Sequence, residues 1–144
     1  MLLAIDPGLA VTGWAVLFSG VLGYREDGQP MSGSIRTSPA NGDEANRIEL
    51  IRKGLRGLFV EFDPEHVAIE SWAYQGTRSE TRNSITINRI VGIAEGLASA
   101  WESDVMLLDK NTVNRSLGLT GEVPKSRVRL MVESALKLQP RTLR

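Results

Sequence analysis

Apolar residues in this chain fall into short runs that stop at turn residues or at acids. Leu2-Leu3-Ala4-Ile5 has the length of one strand and ends at Asp6, where Pro7-Gly8 forces a turn. Thr12–Phe18 (Thr-Gly-Trp-Ala-Val-Leu-Phe) predicts a second strand. Gly20–Pro30, rich in glycine and charge, predicts a hairpin loop, and Met31–Thr37 a third strand, so the three form an antiparallel meander. The period then changes. After an N-cap at or just before Asp43, Ile48, Ile51, Leu55, Leu58, Phe59 and Phe62 recur at helical spacing. Asp63-Pro64 ends that helix, because a residue before proline avoids right-handed helical angles. His66–Ser71 predicts a fourth strand, Trp72–Arg82 a polar loop, and Asn83–Trp101 a long helix. Asp104–Leu108 is a fifth, apolar strand, followed by a loop that contains Leu117–Gly121. Pro124 stands where a last helix, Lys125–Leu138, would start.

A meander feeding βαβ units implies an α/β fold: a five-stranded mixed sheet with helices on both faces. Right-handed crossovers place the fourth strand parallel to and beside the first, which gives the strand order 3-2-1-4-5. No linker, repeat or low-complexity tract interrupts residues 1–144, so one domain is expected.

This order carries a chemical consequence. The fourth run, His66-Val67-Ala68-Ile69-Glu70, ends in an acid as the first does. Neighbouring strands lie about 4.8 Å apart, so the tips would bring Asp6 and Glu70 together. The period of two puts Ala4 on the face of Asp6 and Ala68 on the face of Glu70, leaving room beneath each acid. Two like charges about 4 Å apart repel by roughly 4 kcal/mol at an effective dielectric near 20. Holding them together requires a cation, a shared proton or a basic neighbour. A divalent metal is one answer; a helix cap or an arginine partner for each acid is the other.

Composition narrows the metal. The chain has no cysteine and a single histidine, His66, so thiolate and His-rich zinc sites are excluded and oxygen ligands remain. Oxygen donors favour Mg²⁺ or Mn²⁺. The absence of cysteine fits a cytoplasmic setting. The N-terminus lacks the layout of a secretory signal, and no run reaches the roughly 18 apolar residues of a membrane span.

The net charge of zero conceals an asymmetry. Residues 1–109 hold 15 acids against 9 Lys/Arg, whereas residues 110–144 hold 8 Lys/Arg against 2 acids, a change from −6 to +6. Lys110, Lys125, Arg127 and Arg129 are therefore candidate phosphate contacts, with a solvated basic helix face as the alternative. Trp72 and Tyr74 stand in a polar loop directly after Glu70, where an aromatic can stack on an unpaired base; core packing or a subunit contact would also use them.

The segments Ile5-Asp6-Pro7-Gly8 with Thr12-Gly13, Ser34-Ile35-Arg36-Thr37 and Ala68-Ile69-Glu70 resemble the RuvC family of Holliday junction resolvases, which have the ribonuclease H-like fold. Gly118-Leu119-Thr120-Gly121 with Lys125 and the Val128–Val132 helix adds to the resemblance, which runs from residue 1 to about 138. The resemblance implies a metal-dependent endonuclease that resolves four-way DNA junctions as a homodimer by paired symmetric nicks. It makes Asp6 and Glu70 the first two metal ligands of a site that holds two Mg²⁺ ions when complete. It makes Lys125 a catalytic cation near the scissile phosphate and places an aromatic close to Trp72 or Tyr74. It also implies two further acids on a C-terminal helix with an Asp-Ala-Ala-Asp-like motif. Nothing after Glu133 is acidic, so the expectation for residues 1–144 is an incomplete site with weak or no cleavage.

The helix Asn83–Trp101 is apolar on more than one side, and Gly92 and Gly96 would admit a close neighbour. That neighbour is either a second copy, matching the dimer, or another helix of this chain. Two other functions stay open: a junction-binding protein with little cleavage activity, and a related ribonuclease H-like nuclease acting on other branched nucleic acids. An actin-like ATPase would need Gly-rich phosphate loops that the chain lacks.

Overall fold

The structure is a computed structural model that describes residues 1–71, 78–119 and 123–135, apart from the side chains of 78–83, 129 and 135. Six strands form one sheet: β1 (Leu2–Asp6), β2 (Val11–Phe18), β3 (Val21–Leu22), β4 (Ser32–Arg36), β5 (His66–Ser71) and β6 (Asp104–Asp109). Among the described residues four α-helices accompany them: α1 (Glu44–Phe62), α2 (Arg78–Ala100), α3 (Lys110–Ser116) and α4 (Lys125–Ala135). The sheet runs β3-β2-β1-β5-β6, and β4 also pairs with β2. With β4 as the third strand of the sequence reading, this is the expected order. β1 pairs antiparallel with β2 and parallel with β5, and β5 pairs parallel with β6.

Three elements depart from expectation. The hairpin loop Gly20–Pro30 contains β3, paired Leu17↔Leu22 and Phe18↔Val21, and a further bridge at Tyr24↔Pro30. α2 begins at Arg78, five residues before the expected Asn83. The polar character of residues 78–82 disguised a helical start, since the first turn of a helix needs no apolar face. The stretch after β6, read as loop, begins with α3. Its cap is Asp109, whose carboxylate accepts the Thr112 N–H at 2.9 Å and the Thr112 hydroxyl at 2.6 Å.

α1 forms where its apolar spacing predicts. Asp43 accepts the Asn46 N–H at 2.9 Å, and Ile51, Leu55, Leu58 and Phe59 are buried along one stripe. The helix stops at Asp63, which takes a left-handed conformation (φ 44°) ahead of Pro64.

Strand alternation divides the sheet. Leu3, Ile5, Val16, Val67 and Ile69 point to one face and pack against α1 and against Ile90, Val91, Ala94 and Ala98 of α2. Phe59 meets Trp101, and Trp14 meets Phe62, with ring centroids 5.6 and 5.7 Å apart. The opposite face is floored by small residues, Ala4, Ala15 and Ala68, with Val113 of α3 at its rim. Helical cover is thus unequal among the described residues: α1 and α2 close one face, and α3 reaches the edge of the other. β6 is an edge strand, and its apolar side chains stay largely exposed, Met106 at 58% and Leu107 at 48%.

Candidate active site

Register decides which side chains meet. Leu3, Ala4 and Ile5 of β1 lie opposite Val67, Ala68 and Ile69 of β5, so the next residue of each strand, Asp6 and Glu70, shares the same end and the same open face. Both acids line a groove of about 400 Å³ together with Ala4, Gly13, Ala15, Ala68 and Leu108. Ala4 and Ala68 are direct neighbours beneath them. Gly13 pairs with Asp6 on β2, and a Cβ there would stand 3.8 Å from the Asp6 Oδ2, narrowing the space beside the carboxylate.

Asp6 and Glu70 are close enough to share a hydrogen bond. Burial pushes the half-buried Glu70 carboxyl above the ordinary carboxylate range; the charge of Asp6 and the shared hydrogen bond push it the same way. Lys110 and Lys125 pull it in the opposite direction, so both ammonium groups lie within electrostatic reach of Glu70. Lys110 arrives there because α3 starts at the tip of β6, next to β5. Lys125 opens α4 after the exposed Pro124.

The turn that follows Asp6 is tightly built. The buried Thr12 hydroxyl donates to the Gly8 carbonyl at 2.8 Å and accepts the Gly8 N–H at 3.4 Å. A Cβ on Gly8 would lie 2.5 Å from the Val11 carbonyl oxygen, so only glycine allows this return of the chain. The sequence pattern Asp-Pro-Gly with Thr12-Gly13 is explained locally: an acid at the strand tip, a forced turn, and a hydroxyl that closes it.

The structure brings together Asp6, Glu70, Lys110 and Lys125 of the residues singled out from sequence. Arg127 is exposed on α4. The side chain of Arg129, and Trp72 and Tyr74 altogether, lie outside the described residues. Asp109 does not join the two acids. It pairs with Ser71, one residue beyond Glu70, and so belongs to the other face, with its carboxylate held low by the Thr112 hydrogen bonds. Among the described residues, no group of three or more His, Cys, Asp or Glu is placed to hold a metal ion. His66 begins the strand that carries Glu70 near its other end, about 13 Å away at 3.3 Å per residue, and pairs with Asp104 instead. A histidine general base is therefore not available at the acids. Sequence reading singled out Lys110 but missed α3, the helix that carries it to the side of Glu70, although Asp109 followed by Thr112 is a legible cap signal.

The family model of the crossover junction endodeoxyribonuclease RuvC matches residues 2–143. The chain belongs to the RuvC family. RuvC of Salmonella choleraesuis (strain SC-B67) is 28% identical over 142 residues, covering 96% of this chain and 75% of that protein. RuvC of Photorhabdus laumondii is 30% identical over 142 residues with the same coverage. Among solved structures, T. thermophilus RuvC in complex with Holliday junction substrate has a TM-score of 0.74 at 20% identity, covering 99% of this chain and 83% of that one. The yeast mitochondrial Holliday junction resolvase Ydc2 has a TM-score of 0.58 at 13% identity, covering 94% and 62%. The fold of this RuvC-family chain is therefore ribonuclease H-like, and its relatives are crossover junction endodeoxyribonucleases. No helix among the described residues is long and apolar enough to cross a membrane.

Proposed function

We propose that this chain binds four-way DNA junctions and nicks them at a divalent-metal site built on Asp6 and Glu70. One observation carries the reading: two strand-tip carboxylates meet on an open sheet face, over a floor of alanines, with Lys110 and Lys125 in reach. The donor set fits a hard cation. Both ligands are carboxylate oxygens, neither Met nor His is among the described residues that line the groove, and burial followed by the charge of Asp6 raises the Glu70 carboxyl, a cost that a bound divalent cation would offset. When bound, Mg²⁺ or Mn²⁺ supplies Lewis-acid activation of water and neutralises charge on the scissile phosphate, two ions serving when the site is complete.

The chain's own residues do the rest. Asp6 and Glu70 orient the cation on the side of the sheet that DNA can approach. Lys125 is the catalytic cation that offsets charge gathering on the phosphate, and Lys110, Arg127 and Arg129 hold the flanking backbone. Trp72 or Tyr74 stacks on a base at the junction centre. The exposed side of α2 supports a homodimer: Ile85 is 56% exposed, and a Cβ on Gly92 or Gly96 would meet none of the described residues within 4 Å, so a second backbone can approach. Two copies supply the two symmetric cuts a junction requires.

A second reading draws on the two acids standing without a third among the described residues: a junction-binding protein with little cleavage. Native gels of a four-way junction and of a plain duplex, with and without Mg²⁺, test both. Retention of the junction over the duplex, with paired nicks appearing only when Mg²⁺ is present, is the expected result. Retention without nicks supports the second reading, and equal affinity for junction and duplex overturns both.

A further inference from the structure

Asp6 leaves β1 into the turn of residues 7–10, in which three successive carbonyls are captured. Thr12 takes that of Gly8, the Thr37 hydroxyl takes that of Leu9, and the Thr37 N–H takes that of Ala10 at 3.0 Å. Thr37 is nearly buried, at 7% exposed, just past the end of β4. Its hydroxyl has a second partner. The Arg47 Nε–H of α1 donates to the Thr37 Oγ1 at 3.0 Å. A hydroxyl owns one proton, so an N–H seated on its oxygen leaves that proton to the remaining acceptor, the Leu9 carbonyl. The guanidinium thereby sets the direction of the Thr37 hydrogen bond, and its charge strengthens the contact. Arg47 has no carboxylate partner among the ion pairs of the described residues, so this contact is not a by-product of a surface salt bridge. Arg47 is itself anchored, because its N–H donates to the carbonyl of the N-cap Asp43 at 3.1 Å.

We propose that Arg47 is a positioning residue for the metal site: acting through Thr37, it holds the Leu9–Ala10 turn and so the angle at which Asp6 meets Glu70. This rests on the metal reading of Asp6 and Glu70. Groups hydrogen-bonded directly to a ligand commonly change metal affinity by about 10–100-fold; Arg47 and Thr37 act further out, through the turn, so the lower end of that range is expected.

The test is Mn²⁺ binding by the full chain, followed from the free-ion electron paramagnetic resonance signal, alongside amide hydrogen exchange. Arg47→Ala and the near-isosteric Thr37→Val are each expected to weaken Mn²⁺ binding by about tenfold and to speed exchange of the Thr37 amide. Arg47→Lys, which keeps one donor, should recover part of the loss. Arg52→Ala, on the same helix but paired with Glu49 at the surface, should change nothing. If Arg47→Ala fails to fold, Thr37→Val still decides the matter. Wild-type Mn²⁺ affinity in both variants, together with a loss in Asp6→Asn, would overturn this proposal alone. Wild-type affinity in Asp6→Asn would overturn the metal reading, and this proposal with it.

Discussion

The two faces of the central sheet are made by alternate residues of the same strands, yet they are built to opposite ends. Leu3, Ile5, Val67 and Ile69 fill one face with branched side chains under α1 and α2; Ala4, Asp6, Ala68 and Glu70 leave the other face shallow and charged at its rim. The first face gains stability from apolar area removed from water. The second forgoes that gain at Ala4 and Ala68, and holds two repelling carboxylates besides. One strand pair thus supplies both the anchor and the site, and the rigidity of the covered face is what allows the open face to keep its acids in place.

Substitutions on the covered face should give the largest changes and should be read in stability. Ile69→Ala, at a fully buried position, is expected to cost about 3–4 kcal/mol in urea unfolding. Unfolding free energy within about 1 kcal/mol of wild type would mean that α1 and α2 do not anchor β5 as described. On the open face the loss should instead appear in chemistry. Asp6→Asn and Glu70→Gln are each expected to lower metal-dependent nicking and Mn²⁺ binding by about a hundredfold or more, without loss of metal-free stability. A variant that lost both in parallel would erase the distinction between the faces.

Filling the floor sharpens the contrast. Ala68→Leu intrudes beneath the acids, and should reduce metal-dependent activity by about tenfold while costing roughly 1–3 kcal/mol, the usual effect of overpacking. A smaller effect is expected from the cations. Lys110→Ala and Lys125→Ala should each lower the slope of log affinity against log salt by about one when junction binding is titrated. An unchanged slope for Lys110→Ala would remove α3 from the DNA surface.

The smallest effect is a pH dependence. Because the folded protein raises the Glu70 carboxyl above its ordinary value of 4.5, it holds that proton more tightly than the unfolded chain does. The resulting stability is fully present below 4.5 and is lost as pH rises through the raised value. Metal-free melting curves of wild type and Glu70→Gln should therefore diverge across that window, wild type losing ground towards neutral pH. Added Mg²⁺ or Mn²⁺ should return the loss at neutral pH in wild type only.

Periodicity alone was enough for the covered face, since a buried strand must be apolar where helices press on it and a helix must repeat its apolar stripe. Hence Leu2–Asp6 and His66–Ser71 were read with their observed ends, and α1 with its cap. Asp6 and Glu70 could also be paired in advance, because the rules of crossover handedness leave one natural order for these strands. Local pattern failed where neighbours decide. Asp104–Leu108 stands at the sheet edge, as the strand order requires, yet its apolar run does not reveal that Met106 and Leu107 stay exposed there. α3 and the early start of α2 have too little apolar repeat to announce themselves.

What the order of residues determined was the alternation within each strand, and with it the presence of an acid at two strand tips on one face. What only the tertiary structure decided was the company those acids keep. Asp109 turns to the far face and caps α3, Lys110 rides that helix to the side of Glu70, and Arg47 reaches the Asp6 turn through Thr37. Alternation is a property of neighbouring residues along the backbone. Convergence of groups from four distant segments depends on how strands and helices pack, which no local pattern encodes.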